Sequence, residues 1–140
     1  MLQSPILIVD DDEDDLMIIK SVIEHLDVRR PVKFFKSGKE LIADLKASPL
    51  SPFLILCDVN LPGETGFDIK KSLDDDEELK YKSVPFIFWS TLASEEQIKK
   101  AYDLPAQGFF FKPNKFEELC EEFETILKYW KKSQHPKTII

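Results

Sequence analysis

The chain has 140 residues, 43% hydrophobic and 32% charged, with a net charge of −7 at pH 7. That is the length of one domain with an ordinary globular balance, able to bury roughly two-thirds of the surface its unfolded form exposes. The acidic excess argues against nucleic acid or an anionic membrane as the main partner, and no apolar run approaches the ~20 residues of a membrane span.

Residues 6–9, Ile-Leu-Ile-Val, form an uninterrupted apolar run that ends in Asp10, Asp11 and Asp12. Such a run reads as a strand covered on both faces. Leu16, Ile19, Ile23 and Leu26 then recur at helical spacing, and the acids at 12–15 suit the first turn, where the helix dipole favours negative charge. Asp10 and Asp11 precede that helix and are not explained by it. Val32 to Phe35 is a second strand. Ser37 and Glu40 have capping-box spacing before a short helix through Leu41, Ile42 and Leu45, which Pro49 and Pro52 end.

Phe53 to Cys57 is a third apolar run, ending in Asp58 and a loop with Asn60, Pro62, Gly63 and Gly66. Phe67, Ile69 and Leu73 predict a third helix with Lys70 and Lys71 on its wet side, and the polar segment from Asp74 to Lys82 reads as an exposed loop. Pro85 to Trp89 is a fourth strand ending in Ser90 and Thr91. Ser94 and Gln97 form another capping-box spacing, opening a helix through Ile98, Ala101 and Tyr102 that Pro105 and Gly108 close. Phe109 to Phe111 is a fifth strand ending in Lys112 and Pro113. Asn114, with Glu117 at the box position, is the expected cap of a last helix carrying Phe116, Leu119, Cys120, Phe123, Ile126, Leu127 and Trp130. The expected division is one domain over residues 1–132 and a tail over 133–140. Cys57 and Cys120 sit inside apolar patterns and read as buried free thiols of a reducing cytosol.

Strand then helix, repeated through the chain, requires an α/β doubly wound parallel sheet with right-handed crossovers. Its ligands bind outside the carboxyl ends of the strands. Those ends supply Asp10, Asp11, Asp58, Ser90, Thr91 and Lys112. Alone, each has a plain explanation: a helix cap, a loop-entry hydroxyl, a surface lysine. Together they describe a phosphoryl site. Converging carboxylates call for a hard divalent cation such as Mg²⁺, Lys112 adds positive charge, Ser90 can donate to an oxyanion, and Asp58 can act as nucleophile.

The segments Ile-Leu-Ile-Val-Asp10-Asp11, Leu-Cys-Asp58-Val-Asn60-Leu-Pro62-Gly63, Val-Pro85-Phe-Ile-Phe-Trp-Ser90-Thr91 and Phe-Phe-Phe-Lys112-Pro113 resemble the receiver domain of two-component response regulators, of the chemotaxis-regulator type. The resemblance runs from residue 5 to about residue 130. It implies a flavodoxin-like (βα)5 fold with strand order 2-1-3-4-5. It implies that Asp58 is the phosphoacceptor and that Asp10, Asp11, Asp58 and the carbonyl of Asn60 hold Mg²⁺. Ser90 would be the switch hydroxyl, with Thr91 beside it and Phe109 at the aromatic switch position, and the Lys112–Pro113 bond would be cis. Three residues depart from the family pattern: Thr91 stands where Ala is usual, Phe109 lacks a tyrosine hydroxyl, and Pro105 interrupts a usual Leu-Gly-Ala stretch.

The implied function is a stand-alone cytoplasmic response regulator. A sensor histidine kinase or phosphotransfer domain would phosphorylate Asp58, and output would be altered contact with a downstream protein, with no DNA or membrane partner. It would not be an enzyme beyond slow self-dephosphorylation, and Leu92 would screen the phosphate from water. Asp10 to Asp15 and Tyr129-Trp130 resemble the receivers associated with bacterial phytochrome kinases, which often dimerise through the last helix and tail. Tyr129, Trp130, Ile139 and Ile140 would then form a homodimer interface, or Trp130 simply closes the domain's own core. Two other readings compete. One is a receiver acting as a phosphorylation-independent binding module. The other is an aspartyl-phosphate phosphatase, against which Asn60 stands because it cannot take and return a proton.

Overall fold

The structure, a computed structural model, describes residues 3–136. Each apolar run becomes a strand: β1 (Ile6–Val9), β2 (Val32–Phe35), β3 (Leu54–Cys57), β4 (Phe86–Ser90) and β5 (Gly108–Phe111). Helices follow them in turn as α1 (Glu13–His25), α2 (Gly38–Ala47), α3 (Gly66–Asp74), α4 (Glu95–Asp103) and α5 (Phe116–Lys132). The strands form one parallel sheet in the order β2-β1-β3-β4-β5, as expected.

The continuous apolar runs are explained by a core on each side of the sheet. Side chains alternate along a strand. Ile6 and Ile8 of β1, Leu54 and Leu56 of β3, and Ile87 and Trp89 of β4 therefore join α1 and α5 in one core. Leu7 and Val9, Ile55 and Cys57, and Phe86 and Phe88 pack with α2, α3 and α4 in the other. Strands β1, β3 and β4 are buried throughout, whereas the edge strand β5 is only half-buried. Both cysteines are free and buried.

The helix starts largely follow their polar signals. Ser37 caps α2 and Ser94 with Gln97 forms a complete box on α4. A third box, Thr65 with Asp68, opens α3. Asp12 caps α1, so part of the acidic run does serve the helix. Asn114 does not cap α5: the N-cap position is Lys115, which makes no side-chain cap bond, and Glu117 and Glu118 supply the first turn's negative charge.

Three further expectations are corrected. Lys70 is fully buried, because it lies three residues from both Phe67 and Leu73 on the inward face; its amine pairs with Asp74 at 2.8 Å and lies over the Phe86 ring. The segment from Asp74 to Lys82 is not simply exposed, since Leu79 is buried and the Lys82 amine bonds the carbonyls of Leu45 and Ser48 at the end of α2. Among the described residues the cis peptide bond is Val84–Pro85, not Lys112–Pro113. Both are bonds to proline, where cis is tolerated, so residue type alone could not choose between them.

Beyond α5, His135 is buried, with its Nε2 2.8 Å from the Phe53 carbonyl and its ring against Phe53 and Trp130. Trp130 is half-buried against the α1–α5 core while Tyr129 is exposed. Ile139 and Ile140 lie outside the described residues.

Candidate functional site

The carboxyl ends of β1, β3, β4 and β5 bring Asp10, Asp58, Ser90 and Lys112 together. Register explains this. Val9 pairs with Cys57, so Asp10 and Asp58 emerge side by side; Ser90 stands two residues past Phe88, the partner of Cys57, and Lys112 one past Phe111, the partner of Ser90. Asp58 is anchored to β1 by its own N–H, which donates to the Val9 carbonyl at 2.9 Å. The loop after it folds back tightly: the Gly66 N–H donates to the Val59 carbonyl at 2.8 Å. A Cβ at Gly66 would stand 2.4 Å from the Asp58 carbonyl oxygen, so only glycine fits there. Gly63 supplies the left-handed turn of the same loop, with φ +80°.

The Asp58 carboxylate is nearly buried and held from two sides. Its Oδ1 accepts the Asn60 N–H at 3.2 Å and the Ser90 hydroxyl at 2.9 Å. Its Oδ2 faces the Lys112 amine at 3.7 Å. Ser90 is fully buried and its hydroxyl lies 3.0 Å from the Leu92 carbonyl as well. A hydroxyl has one proton, so Asp58 and Leu92 compete for it. Lys112 pairs closely with the buried Asp10 and lies 3.4 Å from Asp15. Asp10 is further fixed by the Asp12 N–H at 3.0 Å.

A cavity of about 320 Å³ opens above Asp58, lined by Asp11, Asp12, Asp15, Asn60, Ser90, Thr91 and Leu92. Thr91 and Leu92 are exposed at its mouth, and Asp11 is half-buried on its wall. Phe109, one strand away, is half-buried with its ring against Phe88 and Phe111. The residue that sequence reasoning missed is Asp15, which reads as a dipole-complementing acid of α1. One carboxylate oxygen from each of Asp10, Asp15 and Asp58 lies within 4.8 Å of the others. A signal for it did exist: Asp15 stands four residues before the buried Ile19, on the face of α1 turned to the sheet.

A family model for the response regulator receiver domain matches residues 6–124. The chain belongs to the response regulator receiver family. This receiver is 31% identical over 127 residues to the chemotaxis protein CheY-3 of Vibrio cholerae, covering 88% of this chain and 91% of CheY-3. It is 24% identical over 131 residues to the response regulator Rcp1 of Synechocystis, covering 89% and 87%. It superposes on a crystal structure of the phosphorylated cyanobacterial phytochrome response regulator RcpA with a TM-score of 0.83 and 26% identity, covering 96% of this chain and 99% of that one. The likeness to RcpA agrees with the subgroup resemblance carried by the acidic opening and the Tyr129-Trp130 ending. Some other curated relatives are longer, and the chain spans 54% and 35% of two of them.

The receiver's pocket is electrostatically lopsided. Burial pushes the Asp10 carboxyl above its ordinary value, opposed by the charge and hydrogen bond of Lys112. Burial likewise raises Asp15, again opposed by Lys112. Burial works against the Lys112 ammonium, but Asp10, by charge and hydrogen bond, with Asp58 and Asp15 behind it, holds the amine above the usual lysine value. Three clustered carboxylates therefore share one lysine, with Asp11 and Asp12 nearby. An all-oxygen donor set with surplus negative charge, open to solvent, fits a hard divalent cation.

Proposed function

We propose that Asp58 accepts a phosphoryl group in a Mg²⁺-dependent reaction, from a phosphohistidine of a sensor kinase or phosphotransfer domain. One observation carries the reading: Asp58 is the carboxylate of the cluster that takes both a backbone N–H and the buried Ser90 hydroxyl, faces Lys112 and lines the open cavity. Asp10, Asp11, Asp58 and the carbonyl of Asn60 would hold the metal, with Asp15 added by its place in the cluster. When bound, Mg²⁺ would offset the pocket's excess negative charge and that of the phosphoryl oxygens. Asp58 supplies the attacking oxygen; its bond to phosphorus forms as the donor's nitrogen–phosphorus bond breaks, and the electron pair leaves with the imidazole. Lys112 stands where charge on the phosphoryl oxygens develops, and Ser90 can pass its proton from the carboxylate to one of them. RcpA, whose crystal structure is of the phosphorylated protein, supports the same chemistry here.

The output is a change in protein contacts around β4, β5 and their helices, with Thr91 and Phe109 repacking as Ser90's bonding changes, a shift between two populations. Leu92, 75% exposed at the cavity mouth, screens the phosphate; a Leu92→Ala variant should lose it faster. We place the protein in the cytoplasm, where its thiols stay reduced, and propose self-association through the β5–α5 face. There, exposed Tyr129 and half-buried Trp130 line an apolar groove of about 220 Å³. Sedimentation equilibrium that finds only monomer at all concentrations removes the dimer.

The chemistry is tested by intact mass after incubation with acetyl phosphate, with and without Mg²⁺, on the wild type and Asp58→Asn. The expected result is one phosphoryl group gained only with Mg²⁺ and only by the wild type. No gain from acetyl phosphate or from a phosphorylated histidine donor overturns the reading in favour of a plain binding module.

A further inference from the structure

The cap of α4 carries more than a cap needs. Gln97 closes the capping box with one atom: its Oε1 accepts the Ser94 N–H at 3.0 Å, while the Gln97 N–H donates to Ser94 Oγ at 3.2 Å. A glutamate would serve that purpose equally well. The amide adds a donor, and the donor is used. Gln97 Nε2 reaches across to the β3–α3 loop and donates to Asn60 Oδ1 at 3.2 Å. Asn60 answers in the other direction, its Nδ2 donating to the Leu92 carbonyl at 2.9 Å. Two hydrogen bonds donated by side-chain amides thus lace the loop that carries Asp58 to the loop and first turn that follow Ser90.

Both loops bear on the acceptor carboxylate. The Asn60 N–H and the Ser90 hydroxyl donate to the same oxygen of Asp58. The Leu92 carbonyl held by Asn60 is also the competing acceptor for the Ser90 proton. Leu92 itself stands at the mouth of the cavity. Untying the lacing lets the β4–α4 loop swing away from Asp58 and admits water to whatever the carboxylate carries.

We propose that Gln97 is a positioning residue that ties α4 to the acceptor loop through Asn60 and thereby slows loss of the phosphoryl group. This rests on the phosphoacceptor reading of Asp58. The tie acts both ways, because coupling between two sites is reciprocal: a partner that shifts the start of α4 alters the phosphate's lifetime by loosening or tightening the same two bonds.

Gln97→Glu separates the tie from the cap. It keeps the oxygen that caps α4 and removes the donor to Asn60. The wild type, Gln97→Glu, Asn60→Ala and the double variant are loaded with acetyl phosphate and Mg²⁺, the donor is removed, and phosphoprotein is followed by intact mass. Gln97→Glu should shorten the lifetime about fivefold, the worth of one hydrogen bond. In the Asn60→Ala background the same change should alter it by less than about twofold, since its partner is already gone. A nonspecific effect of the added charge would persist in both backgrounds. Hydrogen exchange over residues 95–98 should match the wild type, showing the cap intact. A wild type that takes phosphate while Gln97→Glu leaves its lifetime unchanged, or shortens it equally in both backgrounds, overturns the tie alone. A wild type that takes no phosphate overturns the reading of Asp58 and the tie with it.

Discussion

Lys70 and Lys112 are both buried lysines facing carboxylates, on opposite sides of what a charge can do in a fold. Lys70 is fully buried and, among the described residues, has one ion-pair partner, Asp74, at 2.8 Å, one turn away on α3. Its stem lies within a core of Leu73, Phe86 and their neighbours, and its charge is matched one to one. Lys112 comes from a strand end and faces Asp10, Asp15 and Asp58, which outnumber it, and Asp15 and Asp58 line a cavity open to solvent. The matched, closed pair is structure. The unmatched, open cluster is the candidate site, because of the two it has charge left over for a cation and room for a ligand. Burial of a lysine therefore says little alone; the ratio of partners and the access to them decide.

That contrast can be broken from the structural side first. Lys70→Ala should destabilise by about 3 kcal/mol in urea unfolding, since it leaves a cavity and strands Asp74. Lys70→Met, which fills the space and removes the charge, should cost about 1 kcal/mol or less if Asp74 relaxes to solvent. Equal losses in the two variants would mean the pair itself, not its volume, holds α3. Removing the partner carboxylates should give opposite signs in the two regions. Asp74→Asn should cost about 2 kcal/mol, because a buried ammonium loses its counter-charge. Asp15→Asn should leave metal-free stability unchanged or raise it by about 0.5 kcal/mol, because it relieves burial of a charge and repulsion with Asp10 and Asp12. A clear loss for Asp15→Asn would show that Lys112 needs all three acids.

The smallest effect lies on the far face of β4. The indole N–H of Trp89 donates to Glu122 at 2.8 Å, and burial raises the Glu122 carboxyl despite that bond. A raised acid binds its proton more tightly folded than unfolded. Stability should therefore fall as pH rises from the ordinary value of 4.5 through the raised folded one, and level off above it. Glu122→Gln should flatten that slope, measured by chemical unfolding between pH 4 and 7. A slope that survives belongs to other groups.

Much of this was legible in the chain. Strands β1, β3 and β4 are buried on both faces, so their sequences are unbroken apolar runs, and the abrupt change to Asp10, Asp58 and Ser90 marks where each leaves the core. The burial of Lys70 and the place of Asp15 in the cluster, beyond its first-turn role, are hidden in the sequence for one shared reason. Both are charged residues on the inward face of a helix, where composition says solvent and only spacing says core. Lys70 falls between Phe67 and Leu73, and Asp15 four before Ile19. The Asn114 side chain suits a cap, but α5 begins one residue later. The tie between Gln97 and Asn60 joins residues 37 apart in sequence, and nothing local announces it.

The unequal charge balance of the two lysines is tested most directly by thermal melting with and without Mg²⁺. A cation that binds only the folded state raises the melting temperature by mass action. The account predicts that Mg²⁺ raises it for the wild type and, by the same increment, for Asp74→Asn, and that the rise shrinks for Asp58→Asn. A wild type whose melting temperature ignores Mg²⁺, or an Asp58→Asn variant that gains as much as the wild type, would contradict it.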